Sequence, residues 1–294
     1  MLKRLALLLV IYLFFGINLS YGLEWKKLHE KADNMNLSDA LIDAKAKPNS
    51  IDDWYLLGLV YLNLHKDKEA GEVFNKVLTL APGVIEAKWG AAEVLRRQHK
   101  LKESEEFLSE VLKLNPDFPA ASITLAYIRY IQMNFNAAVK LAIKVLNQRD
   151  MDVDLSNHVR AHLLYGGTKG MIAHYGGPIS KLVNGTAVLP SLRAAEKLQP
   201  DSAGVKFGLG SFYLLAPALV GGDLEKAEVY LKKAVEIDPL FADAYVRLGQ
   251  LYKIKGASKR YDEYLNKALA IDPQNELALD IKNGKCKFIC LDRD

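Results

Sequence analysis

From residue 51 to residue 275 the chain reads as one helical rhythm. Apolar residues recur three and four positions apart, as on one face of an α-helix. The runs are punctuated by proline at a fixed interval: Pro48, Pro82 and Pro116 are each 34 residues apart, and so are Pro239 and Pro273. Each proline closes an apolar-periodic stretch, Val77 to Ala81 before Pro82 and Ala234 to Asp238 before Pro239. Proline disfavours the helical region for the residue before it, so each marks a helix end.

With Ile51 as position 1 of a 34-residue unit, Trp54 falls at position 4, Leu57 at 7, Gly58 at 8, Tyr61 at 11, Ala70 at 20, Phe74 at 24, Val77 at 27 and Pro82 at 32. This arrangement resembles the tetratricopeptide repeat, with Val77 replacing the usual alanine. Residues 242–275 repeat it with Tyr245, Leu248, Gly249, Tyr252, Leu265, Ala268 and Pro273. There Tyr261 stands at the small position 20 and is expected to push the paired helices apart. Residues 85–118 are looser, keeping Ala91, Ala92, Leu95, Ser104, Val111 and Pro116; residues 119–152 are looser still, with Asp150 where the proline would be. The resemblance implies an all-α fold, a right-handed superhelical solenoid of antiparallel helix pairs. Small residues at positions 8, 20 and 27 let the helices approach, and large ones fill the gaps. One pair cannot bury its apolar face alone, so neighbours must stack.

Two insertions interrupt the period. Residues 153–202 form an irregular pair: Leu155 to Tyr175 reads as one helix, Gly176-Gly177-Pro178 as a break, then a second helix to Gln199 in which Pro190 predicts a kink or a late start. Residues 203–275 hold two units. In the first, Leu209, Gly210 and Tyr213 are in place, but Ala227, Leu231, Ala234 and Pro239 arrive five residues late. The extra residues lie in Ala216 to Asp223, where Gly221 and Gly222 can take positive φ and Asp223 can cap the next helix. Residues 208–234 of this stretch also resemble the T component that accompanies tripartite ATP-independent periplasmic (TRAP) transporters.

At the ends, residues 23–50 read as a helix pair closed by Pro48, with Ser38 as a candidate cap. Residues 276–294 read as a capping helix followed by a tail containing Cys286 and Cys290. The first 22 residues have the layout of a secretory signal: Lys3 and Arg4, the apolar run Leu5 to Phe15, and small residues at Ser20 and Gly22. The competing reading is an uncleaved anchor, although Asn18 and Ser20 interrupt the run before the ~20 residues a spanning helix needs. No cysteine lies near Gly22 for lipid attachment, and no later stretch is of spanning length. The expectation is export to the periplasm, with no integral span in the mature chain.

Composition narrows the function class. Hydrophobic residues make up 50% and charged residues 25%, which is globular. The net charge of +4 is weak and unclustered, which argues against nucleic acid as a partner. There is no Gly-x-Ser-x-Gly elbow, and neither cysteine sits in a nucleophile motif. Gly166 to Gly170 has the wrong order for a phosphate loop. His158 and His162 have metal-ligand spacing, but Val159 and Arg160 intervene and no third ligand is evident, so surface histidines are the plainer reading. No enzyme and no cofactor is therefore expected.

What remains is binding. Positions 5, 9 and 12 of the first helix of each pair share one face, the concave one. They read Tyr55, Trp89, Ile123, Phe207 and Val246; Leu59, Glu93, Tyr127, Ser211 and Gln250; Leu62, Arg96, Tyr130, Leu214 and Lys253. The Lys and Asn residues by which some repeats of this family grip a C-terminal carboxylate are absent. The stripe of Tyr55, Trp89, Arg96, Ile123, Tyr127, Tyr130 and Phe207 reads either as a groove for a protein or peptide partner, or as side chains packing on the next helix. Arg96 and Arg97 could orient an acidic group or be solvated helix-end charges. The expected function is an exported non-enzymatic scaffold. The alternative is an accessory of solute uptake that holds a small amphiphilic ligand or contacts a solute-binding protein. Cys286 and Cys290 could form a local disulfide only if their segment leaves the helix; otherwise they are free or intermolecular thiols.

Overall fold

A computed structural model of the protein describes residues 24–289. The signal-like segment 1–22 and Cys290 lie outside the described residues. Helices α1 (Trp25–Ala32) and α2 (Leu37–Ala46) precede the repeats. Three regular pairs follow: α3 (Ile51–Asn63) with α4 (Asp67–Leu80), α5 (Ile85–Arg97) with α6 (Leu101–Leu114), and α7 (Pro119–Ile131) with α8 (Phe135–Leu146). Next come the long α9 (Leu155–Tyr175), the short α10 (Pro178–Gly185) and α11 (Val188–Leu198). Then α12 (Ala203–Leu215) pairs with α13 (Leu224–Ile237), α14 (Ala242–Ile254) with α15 (Ser258–Ile271), and α16 (Glu276–Lys282) closes the array. No strand occurs among the described residues.

Each helix begins and ends where local chemistry dictates. The side chains of Ser50, Asn134, Asp154, Asp223 and Asn275 accept bonds from first-turn N–H groups that would otherwise be orphaned. In the N-terminal pair this cap is Asn36, not Ser38: Asn36 accepts from the Asp39 N–H, and Ser38 already lies inside α2. The repeat helices stop two residues before Pro82, Pro116, Pro239 and Pro273. Pro190 produces the late start, because it sits in the first turn of α11, where its missing N–H costs nothing.

The small-and-large code is legible in the packing. Phe74 is fully buried, and a Cβ on either Gly58 or Gly90 would lie 2.6 Å from its ring. A Cβ on Gly210 would be 2.7 Å from Leu231, whereas on Gly249 the nearest atom, the Tyr261 carbonyl oxygen, would be 3.3 Å away. The Tyr261 backbone thus passes close to Gly249, and the expected separation of the last pair does not occur: the ring turns aside and the helices stay packed.

Three of the turns inside a pair place a residue other than glycine in the left-handed region: His65 (φ 55°), His99 (φ 60°) and Met133 (φ 63°), each at position 15 of its unit. Gly256 (φ 74°) fills that place in the last unit. These are αL helix termini, with Lys66 N–H donating to Tyr61 and His65 N–H to Leu62. Both histidines reach across the superhelix. His65 bonds Asp238 at 3.0 Å, and His99 bonds Asp272 at 3.0 Å and Glu276 at 2.8 Å. Each His–Asp pair spans 173 residues, so the first two units are clamped onto the last two in one register. Met133 instead packs on the C-terminal apolar cluster.

Candidate functional site on the concave face

The superhelix winds tightly enough for the chain to fill much of its own hollow. Tyr55, Trp89 and Ile123 are 0%, 3% and 0% exposed, so the packing reading holds for these three. Helix α1 covers the first two. The hydroxyl of Tyr55 lies 2.9 Å from His29 Nε2, the His29 ring is 5.1 Å from Trp89, and Trp25 meets Phe118 edge-on at 5.2 Å. Burial lowers the His29 pKa to about 4, so the imidazole is neutral at pH 7. Phe207 is partly buried and packs on Phe241 at 4.9 Å.

Deeper in, a polar spine replaces the aromatic surface. Trp89 Nε1 donates to Thr124 Oγ1 at 3.0 Å, and Thr124 Oγ1 donates to Glu93 Oε2 at 3.0 Å. Arg96 binds both Glu93 oxygens at 2.8 and 3.0 Å, Arg97 Nε donates to Oε1 at 3.1 Å, and Arg160 stands 3.7 Å away. Burial works against the Glu93 ion, but the Arg96 guanidinium, with Arg160 and Arg97, holds its carboxyl far below the usual range. Arg96 and Arg97 are therefore spent on an acid of their own chain. Arg96 also lies 4.4 Å above the Tyr127 ring.

The far end of the hollow holds an extended segment. Phe288, 6% exposed, stacks on Tyr130 at 5.7 Å. Three consecutive carbonyl oxygens are bound: that of Lys287 by Tyr175 Oη at 2.8 Å, that of Phe288 by Arg247 at 3.0 Å, and that of Ile289 by Gln250 Nε2 at 3.0 Å. The N–H groups of Lys287 and Phe288 donate to the Asp280 carboxylate at 2.9 and 2.8 Å. Tyr130, Tyr175, Arg247 and Asp280 come from α7, α9, α14 and α16, so only the closed superhelix assembles this clasp. Cys286, at the entrance of the segment, is disulfide-bonded and non-helical with φ 53°. Beside the clasp is a cavity of about 300 Å³ lined by Met133, Phe135, Ile172, Tyr175 and Ser180.

Of the seven residues read as the concave site, the structure brings Arg96 beside Tyr127 and Tyr130 against the bound segment. It seals Tyr55, Trp89 and Ile123 and leaves Phe207 apart. The period carries no signal for Arg247 and Asp280: Arg247 is at position 6, off the stripe, and nothing in the repeat says that the tail returns to the groove. Gln250, at position 9, was on the stripe. His158 and His162 stack at 5.4 Å, and no cluster of three metal-ligating side chains occurs among the described residues.

Comparison with known proteins agrees with this architecture. Residues 54–83 match the tetratricopeptide repeat family, and residues 193–286 match the family described as TRAP transporter T-component. A stretch of 63 residues, 21% of this chain and 25% of the relative, is 41% identical to the type IV pilus assembly protein PilF of Pseudomonas aeruginosa. Among solved structures, the anaphase-promoting-complex assembly Cut9–Hcn1 superposes with a TM-score of 0.60 at 17% identity, covering 96% of this chain and 52% of that one. A tetratricopeptide repeat protein from Parabacteroides merdae gives 0.52 at 14% identity, covering 87% and 95%. The chain thus spans about half of the first structure and matches a quarter of the pilus protein. The fold is an all-α tetratricopeptide-repeat superhelix.

Proposed function

We propose that the protein is a non-enzymatic, exported scaffold that holds an extended peptide segment of a partner in its concave face. The observation that carries this reading is the clasp around residues 287–289. Five backbone bonds and one stacked aromatic ring are what an extended peptide needs from a receptor, and the side chains that supply them come from separate units. The chain's own tail occupies the place, so a partner segment competes with it. The signal-like first 22 residues support export.

The test uses a chain ending after Lys285 and a fluorescent peptide of residues 285–291. Saturable binding by anisotropy, abolished by Arg247→Ala with Gln250→Ala, supports the reading. Absence of binding to a folded truncated chain refutes it. The match of residues 193–286 to the TRAP T-component family favours a second reading, an accessory to solute uptake. Its groove would hold a small amphiphile or a solute-binding protein; native mass spectrometry of the purified protein distinguishes the two by what co-purifies.

A further inference from the structure

Helix α10 is built inside out. Its Ser180 and Asn184 face the protein: Ser180 Oγ donates to the Ile172 carbonyl at 3.1 Å, Asn184 Nδ2 donates to Ser180 Oγ at 3.0 Å, and Lys169 Nζ donates to Asn184 Oδ1 at 2.8 Å. Its apolar residues Ile179, Leu182 and Val183, spaced three and four apart on one face, are 80%, 69% and 61% exposed. A surface helix of a globular protein has the opposite arrangement. No residue of α10 is buried.

The second insertion does the same. Leu219 and Val220, in the single 3-10 turn at 218–220, are 99% and 61% exposed. Both insertions join the first helix of a pair to the second. Leu163 of α9 packs where a Cβ of Gly204 or Gly208 on α12 would lie, 3.3 and 3.2 Å away, which fixes the register of these two helices. From that contact α9 runs on to Tyr175 and α12 to Leu215, both as first helices of their pairs, so the two insertions leave the stack at the same end. The two apolar projections therefore stand on one rim.

We propose that this rim docks on an anionic lipid surface. Three observations select a bilayer over a protein partner. The projections are purely aliphatic, without the buried aromatic anchor that dominates protein contacts. Tyr175, 52% exposed, lies at their base with its hydroxyl turned to the protein, an amphipathic ring at the level where an interface would fall. Over the first insertion and the helix before it the charge has one sign: from Leu155 to Ala195 the chain has no Asp or Glu, although it carries 35 in all, and Lys181 on α10 and Lys169 against it are the cations beside the apolar face. Apolar insertion and attraction to anionic headgroups together are what peripheral binding needs. No helix among the described residues is long and apolar enough to cross a membrane.

The experiment is vesicle co-sedimentation of the full chain, with phosphatidylcholine alone and with added phosphatidylglycerol. Ile179→Ser/Leu182→Ser/Val183→Ser and Leu219→Ser/Val220→Ser each lower partitioning onto the anionic vesicles, the triple variant about tenfold or more. All five side chains are exposed, so circular dichroism is unchanged. Because residues 1–22 could bind lipid themselves, a local readout accompanies this: Leu182→Cys carrying an environment-sensitive dye shifts its emission to the blue on anionic vesicles. Unchanged emission overturns the proposal, however strongly the chain sediments. A shift without lipid that grows with protein concentration also overturns it, in favour of self-association.

Discussion

His99 offers the most direct test of superhelix closure. Its backbone is left-handed, which costs a residue other than glycine about 1 kcal/mol, and the matching turn of the last unit has Gly256. The histidine is held there by two acids from the opposite end of the array. The bond to Asp272, then that to Glu276, raises the His99 pKa to about 10. The folded state therefore keeps a proton between pH 6.5 and 10 that an unfolded histidine releases. This stabilisation is complete below pH 6.5 and is lost as the pH rises toward 10. From pH 7 to 9 the upper limit is ~2.7 kcal/mol, at ~1.36 per pH unit. The His99 side chain keeps 17% of its exposure and its acids about 30%, so solvent screening reduces this to about 1 kcal/mol. His99→Gly removes the bridge and relieves the backbone together. Urea unfolding of the wild type at pH 7, 8 and 9 should show stability declining by about 1 kcal/mol, while the glycine variant declines less. Parallel pH profiles for the two proteins would refute a charged His99 clamp. A glycine variant more stable than the wild type at pH 7 would show that the bridge does not offset its own backbone strain.

Further outcomes follow from single contacts. Glu93→Gln leaves Arg96 and Arg160 without a buried counter-charge and should cost about 3 kcal/mol in urea unfolding; since the Glu93 carboxyl is held low, this contribution is fully present above the ordinary carboxylate range and is lost as the pH falls below that range toward the depressed folded-state value. Gly222→Ala places a Cβ 1.9 Å from the Ala216 carbonyl oxygen, a clash that only backbone movement relieves, and should lower thermal stability by about 2 kcal/mol or more. Arg247→Ala with Gln250→Ala should speed hydrogen exchange at the Phe288 amide while leaving the amides of α3 to α6 unchanged, because the clasp touches only the tail.

The sequence is a good guide wherever the physics is local or nearest-neighbour. Prolines stop helices, Asp223 caps one, and Gly58 admits Phe74; each is a contact within one unit or with the next. The site depends on a different scale. Whether Tyr130 faces solvent or lies under Phe288 is decided by how far the superhelix has turned after several units, a sum of small rotations that no single residue encodes. Serine favours a cap, which makes Ser38 the candidate by type, but Asn36 reaches the free N–H of Asp39 and starts the helix two residues earlier. The position-15 histidines were invisible for a related reason: a histidine in a helix-ending turn looks like solvent-exposed chemistry until Asp238 and Asp272 arrive opposite it. With both ends of the chain in view, the equal spacing of the two histidines and of the two aspartates is the one trace of closure in the sequence.

The insertions carry the same distinction further. They break the 34-residue period, yet the packing resumes in phase behind them: Ala195 and Leu192 are buried after the first, and Leu231 fits against Gly210 after the second. The stacked helices would need none of these residues to bury their faces. What the insertions add lies outside the stack, on one rim, and it gathers apolar side chains that elsewhere on the surface stand singly. Residues dispensable for stacking, exposed and hydrophobic, are costly for a chain that must stay dispersed in water. The fold gives them no partner, so their reason must lie in something the chain meets.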